Sequence, residues 1–254
     1  MIEVYSWEPN ANSGKPLLTL KEKGVDFVFH YIDMGQLEQH SPAYLAVNPH
    51  GTIPTVIHDG FHMYESTPAM EYIDQVFDGP RLTPHDPYEQ WTMRWWMRFV
   101  DEYLNPSLAM QAGTSAGGRF AAAMSEEDKD AAVARIPLPE RARVWRLILD
   151  QGTAPEEIEE SKRRVARAMV LFETALGEGP YLAGEHFSLA DIDAMCTLHS
   201  WPLMRPEVSA DKTPNLWAWL ARCHAREGIK AAFRMGRFIG TRMDEVRAKL
   251  GVGE

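Results

Sequence analysis

The run Asn48-Pro49-His50-Gly51-Thr52-Ile53-Pro54, leading into the apolar Thr55-Val56-Ile57, limits the topology more than any other part of the chain. A proline lacks the N–H that a central strand must donate, so Pro54 fits the start of a strand after the Gly51 turn, where a cis Ile53-Pro54 bond is accommodated. His58-Asp59-Gly60-Phe61 carries an Asp-Gly hairpin signal, so the chain doubles back at once. The return delivers Glu65-Ser66 beside the Ile53 backbone at the opening of a new helix. A helix N-terminus with a hydroxyl and exposed N–H groups receives a carboxylate, and an adjacent glutamate receives an ammonium. Those are the two charged ends of a free α-amino acid.

The surrounding pattern supplies a domain for this hairpin. Residues 2–6 read as a strand, a loop runs through Ser13, a helix continues to about Lys23, and residues 25–32 read as a second strand. With the next helix, the strand at Thr55 to Ile57, the return at 61–64 and a helix over 66–77, the order becomes β-α-β-α-β-β-α, an α/β domain over 1–78. Residues 79–87 hold three prolines and a glycine and form a linker. From 88 to 254 helical periodicity takes over, as in Trp91, Trp95, Phe99 and Tyr103, and in Val165, Ala168, Met169, Phe172 and Leu176. The second domain is expected to be all helical, with an expanded, irregular insertion near 113–160 that includes Gly117-Gly118 and Ile136-Pro137-Leu138-Pro139. Ser188-Leu189-Ala190-Asp191 is a capping-box pattern with a structural role, and its loss as a cap costs on the order of 1 kcal/mol.

Composition excludes several functions. The chain has 254 residues, 45% of them hydrophobic, enough for a sizeable core. With 26 Lys+Arg against 36 Asp+Glu the net charge is −10, which argues against nucleic-acid binding. No apolar run reaches membrane-span length, and Met1-Ile2-Glu3-Val4 enters a strand without a basic leader, so a cytoplasmic protein that does not bind membranes is expected. The two cysteines, Cys196 and Cys223, sit late and apart. A first domain without a thiol cannot perform thiol-disulfide exchange. His58 and His62 are separated by the Asp59-Gly60 turn, and no third ligand has metal-site spacing, so no metal is expected.

The Glu65-Ser66 and Ile53-Pro54 constellation resembles the glutathione site of cytosolic glutathione S-transferases. Val4-Tyr5-Ser6, Ser188-Leu189-Ala190-Asp191 and Thr213-Pro214-Asn215-Leu216 extend the likeness over nearly the whole chain. Ala11-Asn12-Ser13, Glu38-Gln39-His40-Ser41, Glu65-Ser66-Thr67 and Val100-Asp101-Glu102-Tyr103 resemble the bacterial lignin β-aryl etherase branch. The likeness implies the glutathione S-transferase fold, a thioredoxin-like N-terminal domain followed by a helical bundle, with glutathione as co-substrate. It implies that Glu65 and Ser66 hold the γ-glutamyl end, that the Ile53 backbone beside Pro54 pairs with the cysteinyl unit, and that Gln39 and His40 hold the glycyl carboxylate, His40 with a pH-dependent charge.

Ser13 is the candidate for thiol activation by its hydroxyl and nearby N–H groups; the plain alternative is a helix cap. Asn12 is the second candidate donor, and Tyr5, within the strand, a weaker one. Trp7, Pro9, Tyr103, Ser107, Met110 and Gln111 fall where the resembled family lines its second-substrate pocket, and their character suits an apolar aryl substrate. Trp91, Trp95, Trp96 and Phe99 read as core and dimer-interface packing. The implied activity is thiolate cleavage of β-aryl ethers in lignin-derived α-keto aromatic dimers. The alternatives are a general transferase or dehalogenase, or a non-catalytic subunit. A homodimer is implied, with a heterodimer of related subunits as the variant.

Overall fold

The computed structural model describes residues 1–111 and 124–253. The chain forms two compact units: Met1–Tyr31, Ile53–Asp101 and Met169–Glu254 in one, Ile32–Thr52 and Glu102–Ala168 in the other. The residues 113–123 of the expected insertion, with Gly117-Gly118, lie outside the described residues.

The first unit is built on a four-stranded sheet of order β2-β1-β3-β4, with β1 Ile2–Ser6, β2 Val28–Tyr31, β3 Thr55–His58 and β4 Phe61–Met63. β1 runs parallel to β2 and antiparallel to β3, and β3 pairs antiparallel with β4. The parallel pair is joined by helix α1, Ala11–Lys23, giving the β-α-β unit expected of a thioredoxin-like domain. Strand alternation turns Ile2, Val4 and Ser6 inward, and Ile2 and Val4 meet Leu17, Leu20, Val56, Ala69 and Ile73 in one core. The second strand is shorter than the sequence suggests. α1 ends on Gly24 in the left-handed conformation, with φ 70°, and pairing begins only where Val28 meets Glu3.

After β4 come α3, Ser66–Val76, and α4, Pro87–Phe99; α2 is the short Pro42–Leu45. Pro87 opens a helix, with the Asp86 side chain accepting from the N–H groups of Tyr88 and Glu89. The segment before it is tethered: buried Asp74 accepts from the N–H groups of Leu82 and Thr83 and from Lys23 Nζ at 3.0 Å. These donors hold the Asp74 carboxyl below its usual range against the opposing effect of burial.

The helix continues from α4 through a π-helical turn, Val100–Leu104, into α5, Asn105–Ala109. Helices α6, Glu126–Ala134, and α7, Pro139–Leu149, follow. Then come α8, Pro155–Glu178, α9, Leu189–Leu198, α10, Trp201–Met204, α11, Pro214–His224, α12, Glu227–Phe233, and α13, Ile239–Leu250. In the first unit α1 packs against α3, α9 and α12, and α9 packs against α4.

The aromatic stripe of α4 splits. A spacing of four drifts around a helix with 3.6 residues per turn, so Trp91 and Trp95 are 59% and 41% exposed. Trp96 turns inward and stacks on Phe172 with ring centroids 4.7 Å apart. Of the core and dimer-interface packing expected of the four aromatics, the core part holds for Trp96 and for Phe99, which packs on Trp96 and Phe172, while Trp91 stacks on exposed Tyr88.

Two buried ionic clusters fix these helices. Lys15 Nζ, fully buried, lies 3.0 Å from Asp193 on α9, donates to Thr67 Oγ1 on α3 at 3.0 Å, and donates to Asp101 in the π-helical turn. Thr67 donates to the second Asp101 oxygen at 2.6 Å. The carboxylates push the Lys15 ammonium up in spite of its burial, so it stays charged, while burial pushes Asp193 up to about 7. On the same helix, buried Asp191 accepts from Ser188 N and Oγ, from the Leu182 N–H and from Trp219 Nε1. The capping box is present, extended to a loop and to α11.

Two stability measurements follow from these clusters. Lys15→Met removes the only cation that these contacts supply to buried Asp193 and is expected to cost about 3–5 kcal/mol in urea unfolding. Lys15→Met/Asp193→Asn is expected to recover part of that loss, and strict additivity in the double-mutant cycle would refute the coupling. Asp191→Ala strands four donors, so its expected cost is on the order of 3 kcal/mol, above that of a simple cap; a loss below about 1 kcal/mol would show that the added contacts contribute nothing.

Candidate functional site

The first turn of α1 carries Asn12 and Ser13. It is anchored from β1, where inward-facing Ser6 donates its hydroxyl to the Ser13 carbonyl at 2.8 Å. The helix begins at Ala11, earlier than the sequence suggests, so Ser13 lies inside the first turn, 5% exposed, and Asn12 is exposed. Asn10 is the cap residue and makes no side-chain capping bond, so Ser13 does not fill the capping position that is its plain reading. The helix leaves the Ala11, Asn12 and Ser13 N–H groups without intrahelical acceptors.

The turn is unusual in two further ways. Ala11 holds φ 43°, a conformation that non-glycine residues adopt rarely. Pro16, inside the helix, has no N–H to give the Asn12 carbonyl. Gly14 is dictated by space: a Cβ there would stand 2.6 Å from the Pro9 carbonyl carbon and 2.9 Å from Cys196 Sγ. Cys196 and Cys223 are both buried, and burial raises both thiols.

The loop before this turn contains Trp7 and Pro9. It is clamped by Glu8, which is 2% exposed. The Glu8 carboxylate accepts from the Tyr31 hydroxyl at 2.7 Å and from the N–H groups of Arg237, Phe238 and Ile239 at 2.9, 3.1 and 2.9 Å. It thereby caps α13 from a loop more than two hundred residues away. Pro9 is buried and Trp7 partly so, with its indole Nε1 buried and without a hydrogen-bond partner.

Ile53-Pro54 is cis. The ladder to β1 starts at Thr55, so Ile53 lies just outside the paired residues. Pro54 is buried and Ile53 partly exposed. At the start of α3, Glu65 is the cap residue, exposed, with no side-chain capping bond; Ser66 is the first helical residue and buried. Thr67, the next residue, is held by Lys15 and Asp101. The fold thus brings the Ser13 turn and the Glu65-Ser66 turn into one unit tied by the Lys15 cluster.

In the second unit, Gln39 and His40 form a 3-10 turn, Glu38–His40, and both are 1% exposed. Gly51, with φ 61°, packs on this turn, where a Cβ would meet His40 Cδ2 at 2.9 Å. The His40 ring meets the Trp145 ring edge-on with centroids 6.2 Å apart. Burial, followed by the charges of Arg141 and Arg135, lowers the His40 pKa to about 4. The imidazole is neutral at neutral pH, and its pH-dependent charge appears only at lower pH, because burial and two guanidinium groups disfavour its protonation.

Tyr103, Ser107 and Gln111 recur every four residues, and their contacts run to α8. Tyr103 Oη accepts from Arg167 at 3.1 Å, Gln111 donates to Ser161 at 2.6 Å, and Ser161 donates to the Ser107 carbonyl. The Ser107 hydroxyl, fully buried, is donated to the Tyr103 carbonyl. Met110 is partly exposed.

Sequence reasoning passed over Glu8, Lys15, Asp101 and Asp193. One signal was available: Lys15 follows the Asn12-Ser13 pair within a helix whose neighbouring positions, Gly14, Pro16, Leu17 and Leu18, are all apolar, which marks a lysine needing buried partners.

Comparison with known proteins agrees with this architecture. The family profile for the glutathione S-transferase N-terminal domain matches residues 11–76, and that for its C-terminal domain matches residues 120–227. Protein LigF of Sphingobium sp. strain SYK-6 is 35% identical over 245 residues, covering 93% of this chain and 94% of LigF. Glutathione S-transferase U22 of Arabidopsis thaliana is 30% identical over 218 residues, covering 84% and 80%. The crystal structure of the beta-etherase LigF superposes with a TM-score of 0.86, over 92% of this chain and 99% of that one. Glutathione transferase F7 of Populus trichocarpa, 21% identical, shares the fold with a TM-score of 0.70 over 94% of this chain and all of its own. With its thioredoxin-like sheet, its helical C-terminal part and these relationships, the chain belongs to the glutathione S-transferase family.

Proposed function

We propose that this transferase is a β-etherase acting on lignin-derived α-keto aromatic dimers. The observation that carries the reading is the 35% identity to LigF over 93% of the chain, and the Asn12-Ser13, Ile53-Pro54 and Glu65-Ser66 turns of this chain support it. Glutathione sulfur, as thiolate, attacks the carbon that bears the aryloxy group beside the ketone. A C–S bond forms, the C–O bond breaks, and the phenolate leaves and takes a proton from solvent. The neighbouring carbonyl activates that carbon, so the protein's work is thiolate formation and alignment.

In this reading the Ser13 hydroxyl and the first-turn N–H groups stabilise the thiolate, with Asn12 as a second donor. Glu65 and Ser66 receive the γ-glutamyl ammonium and carboxylate, Ile53 beside Pro54 pairs with the cysteinyl unit, and Gln39 and His40 receive the glycyl end. Trp7, Pro9, Tyr103, Ser107, Met110 and Gln111 take the aryl-receiving roles that the family resemblance gives them. The enzyme works in the cytoplasm as a homodimer or with a related subunit. No helix among the described residues is long and apolar enough to cross a membrane.

Thiol activation is tested by following thiolate absorbance of bound glutathione with pH. Ser13→Ala is expected to raise the thiol pKa by about one unit, since a free thiol titrates near 8.5 and one donor of several is lost. Titrations unchanged in both Ser13→Ala and Asn12→Ala would move activation to the backbone alone. Substrate class is tested by competition between a keto β-aryl ether and a small alkyl halide at saturating glutathione. An aryl ring burying about 100 Å² at about 25 cal/mol per Å² favours the ether by nearly two decades in kcat/KM. Preference for the halide would sink the etherase reading in favour of a dehalogenase. Tight glutathione binding with neither substrate turned over would make the chain a non-catalytic subunit.

A further inference from the structure

On the Glu38–His40 turn, the amide nitrogen and oxygen of Gln39 and both ring nitrogens of His40 are buried without hydrogen-bond partners. Groups so placed are costly, and two adjacent side chains orphaned together point to a ligand that completes them. The charge needed for that ligand lies on α7. Arg141 and Trp145 are four residues apart and share a face of that helix. The Trp145 ring meets the His40 ring, so this face is turned toward the Glu38–His40 turn. Arg141 Nε is itself buried without a partner, and the Arg141 charge has the larger effect of the two felt at His40, Arg135 being the other.

The donors available are the Gln39 amide, one His40 N–H and the Arg141 guanidinium, a set that matches a carboxylate. The remaining acceptors, Gln39 Oε1 and the second His40 nitrogen, match an N–H beside that carboxylate. A terminal glycyl group offers both. His40 is neutral, so it contributes a hydrogen bond and no charge, and the charge must come from arginine.

We propose that Arg141 is the cationic member of a carboxylate site completed by Gln39 and His40, and that it takes the glycyl carboxylate of glutathione. This rests on the glutathione reading above, and it assigns a binding residue to the helical region after residue 123, which the family resemblance left without a role.

The experiment compares calorimetric binding of glutathione and of its glycyl monoethyl ester, which lacks the charge, to wild type, Arg141→Met and Arg141→Lys. Wild type is expected to prefer glutathione by roughly 10–100-fold, the range of a charge-assisted hydrogen bond. Arg141→Met is expected to reduce that preference to within about threefold by weakening glutathione alone, with Arg141→Lys in between. Equal weakening of both ligands would make Arg141 a structural residue and overturn the proposal, as would an undiminished preference in Arg141→Met. Wild type that binds both ligands equally overturns the carboxylate site and leaves the glutathione reading intact. Wild type that binds neither overturns both.

Discussion

A fully buried ammonium is tolerable only if the fold surrounds it with acceptors, and that requirement on Lys15 organises the first unit. Its three partners come from three different elements: Thr67 from the first turn of α3, Asp101 from the π-helical turn after α4, and Asp193 from α9. A shift of the π-helical turn or of α9 alone would separate Lys15 from a charged partner, and a shift of α3 would remove a hydroxyl acceptor. The π-helical turn lies where Asp101 meets both Lys15 and Thr67, in keeping with the tendency of such bulges to re-aim side chains at sites of use.

The same economy recurs. Glu8, Glu22, Asp74 and Asp191 are buried carboxylates whose oxygens accept from backbone N–H groups, those of Glu8 and Glu22 from segments distant in sequence. Glu8 caps α13, and Glu22 accepts from the Ile229 N–H in the first turn of α12 and from Arg226 at 2.7 Å. Asp74 holds the segment ahead of α4, and Asp191 holds the loop before α9. Each acid satisfies orphan donors at a helix start or loop. The negative net charge of the chain therefore understates how many of its carboxylates are interior and committed.

Legibility in the sequence followed the range of the interaction. The order of elements in the first domain, the cis Ile53-Pro54 bond, the Asp59-Gly60 hairpin and the Ser188-Asp191 box were readable because strand and helix periodicity and proline, glycine and capping chemistry act over a few residues. The Glu65-Ser66 helix start was readable for the same reason. Glu8 and Lys15 were not, because their partners lie tens to hundreds of residues away, and a glutamate after tryptophan looks like any solvated loop acid. The recurrence of Trp91, Trp95 and Phe99 marked the α4 helix, but which of its aromatics are buried depends on the packing of α8, where Phe172 receives Trp96. The lowered pKa of His40 is not legible in the sequence because burial is a tertiary property: its neighbours Arg141 and Trp145 belong to a helix a hundred residues on.

The first turn of α1 joins these observations to chemistry. Its N–H groups are aimed by backbone alone, and the turn is under tension: a left-handed Ala11, an uncapped Asn10 and a proline that releases the Asn12 carbonyl. Such a turn would fray on an exposed helix. Here Ser6 pins it from the sheet, Gly14 lets Pro9 and Cys196 close over it, and Lys15 locks the next residue into the ionic cluster. Misplacement of reacting groups by 1 Å can cost about 10²-fold in rate. Rigid anchoring on three sides of a strained turn therefore favours donors whose positions are set before a ligand arrives, and conformational energy stored at Ala11 is sustained by burial elsewhere in the unit.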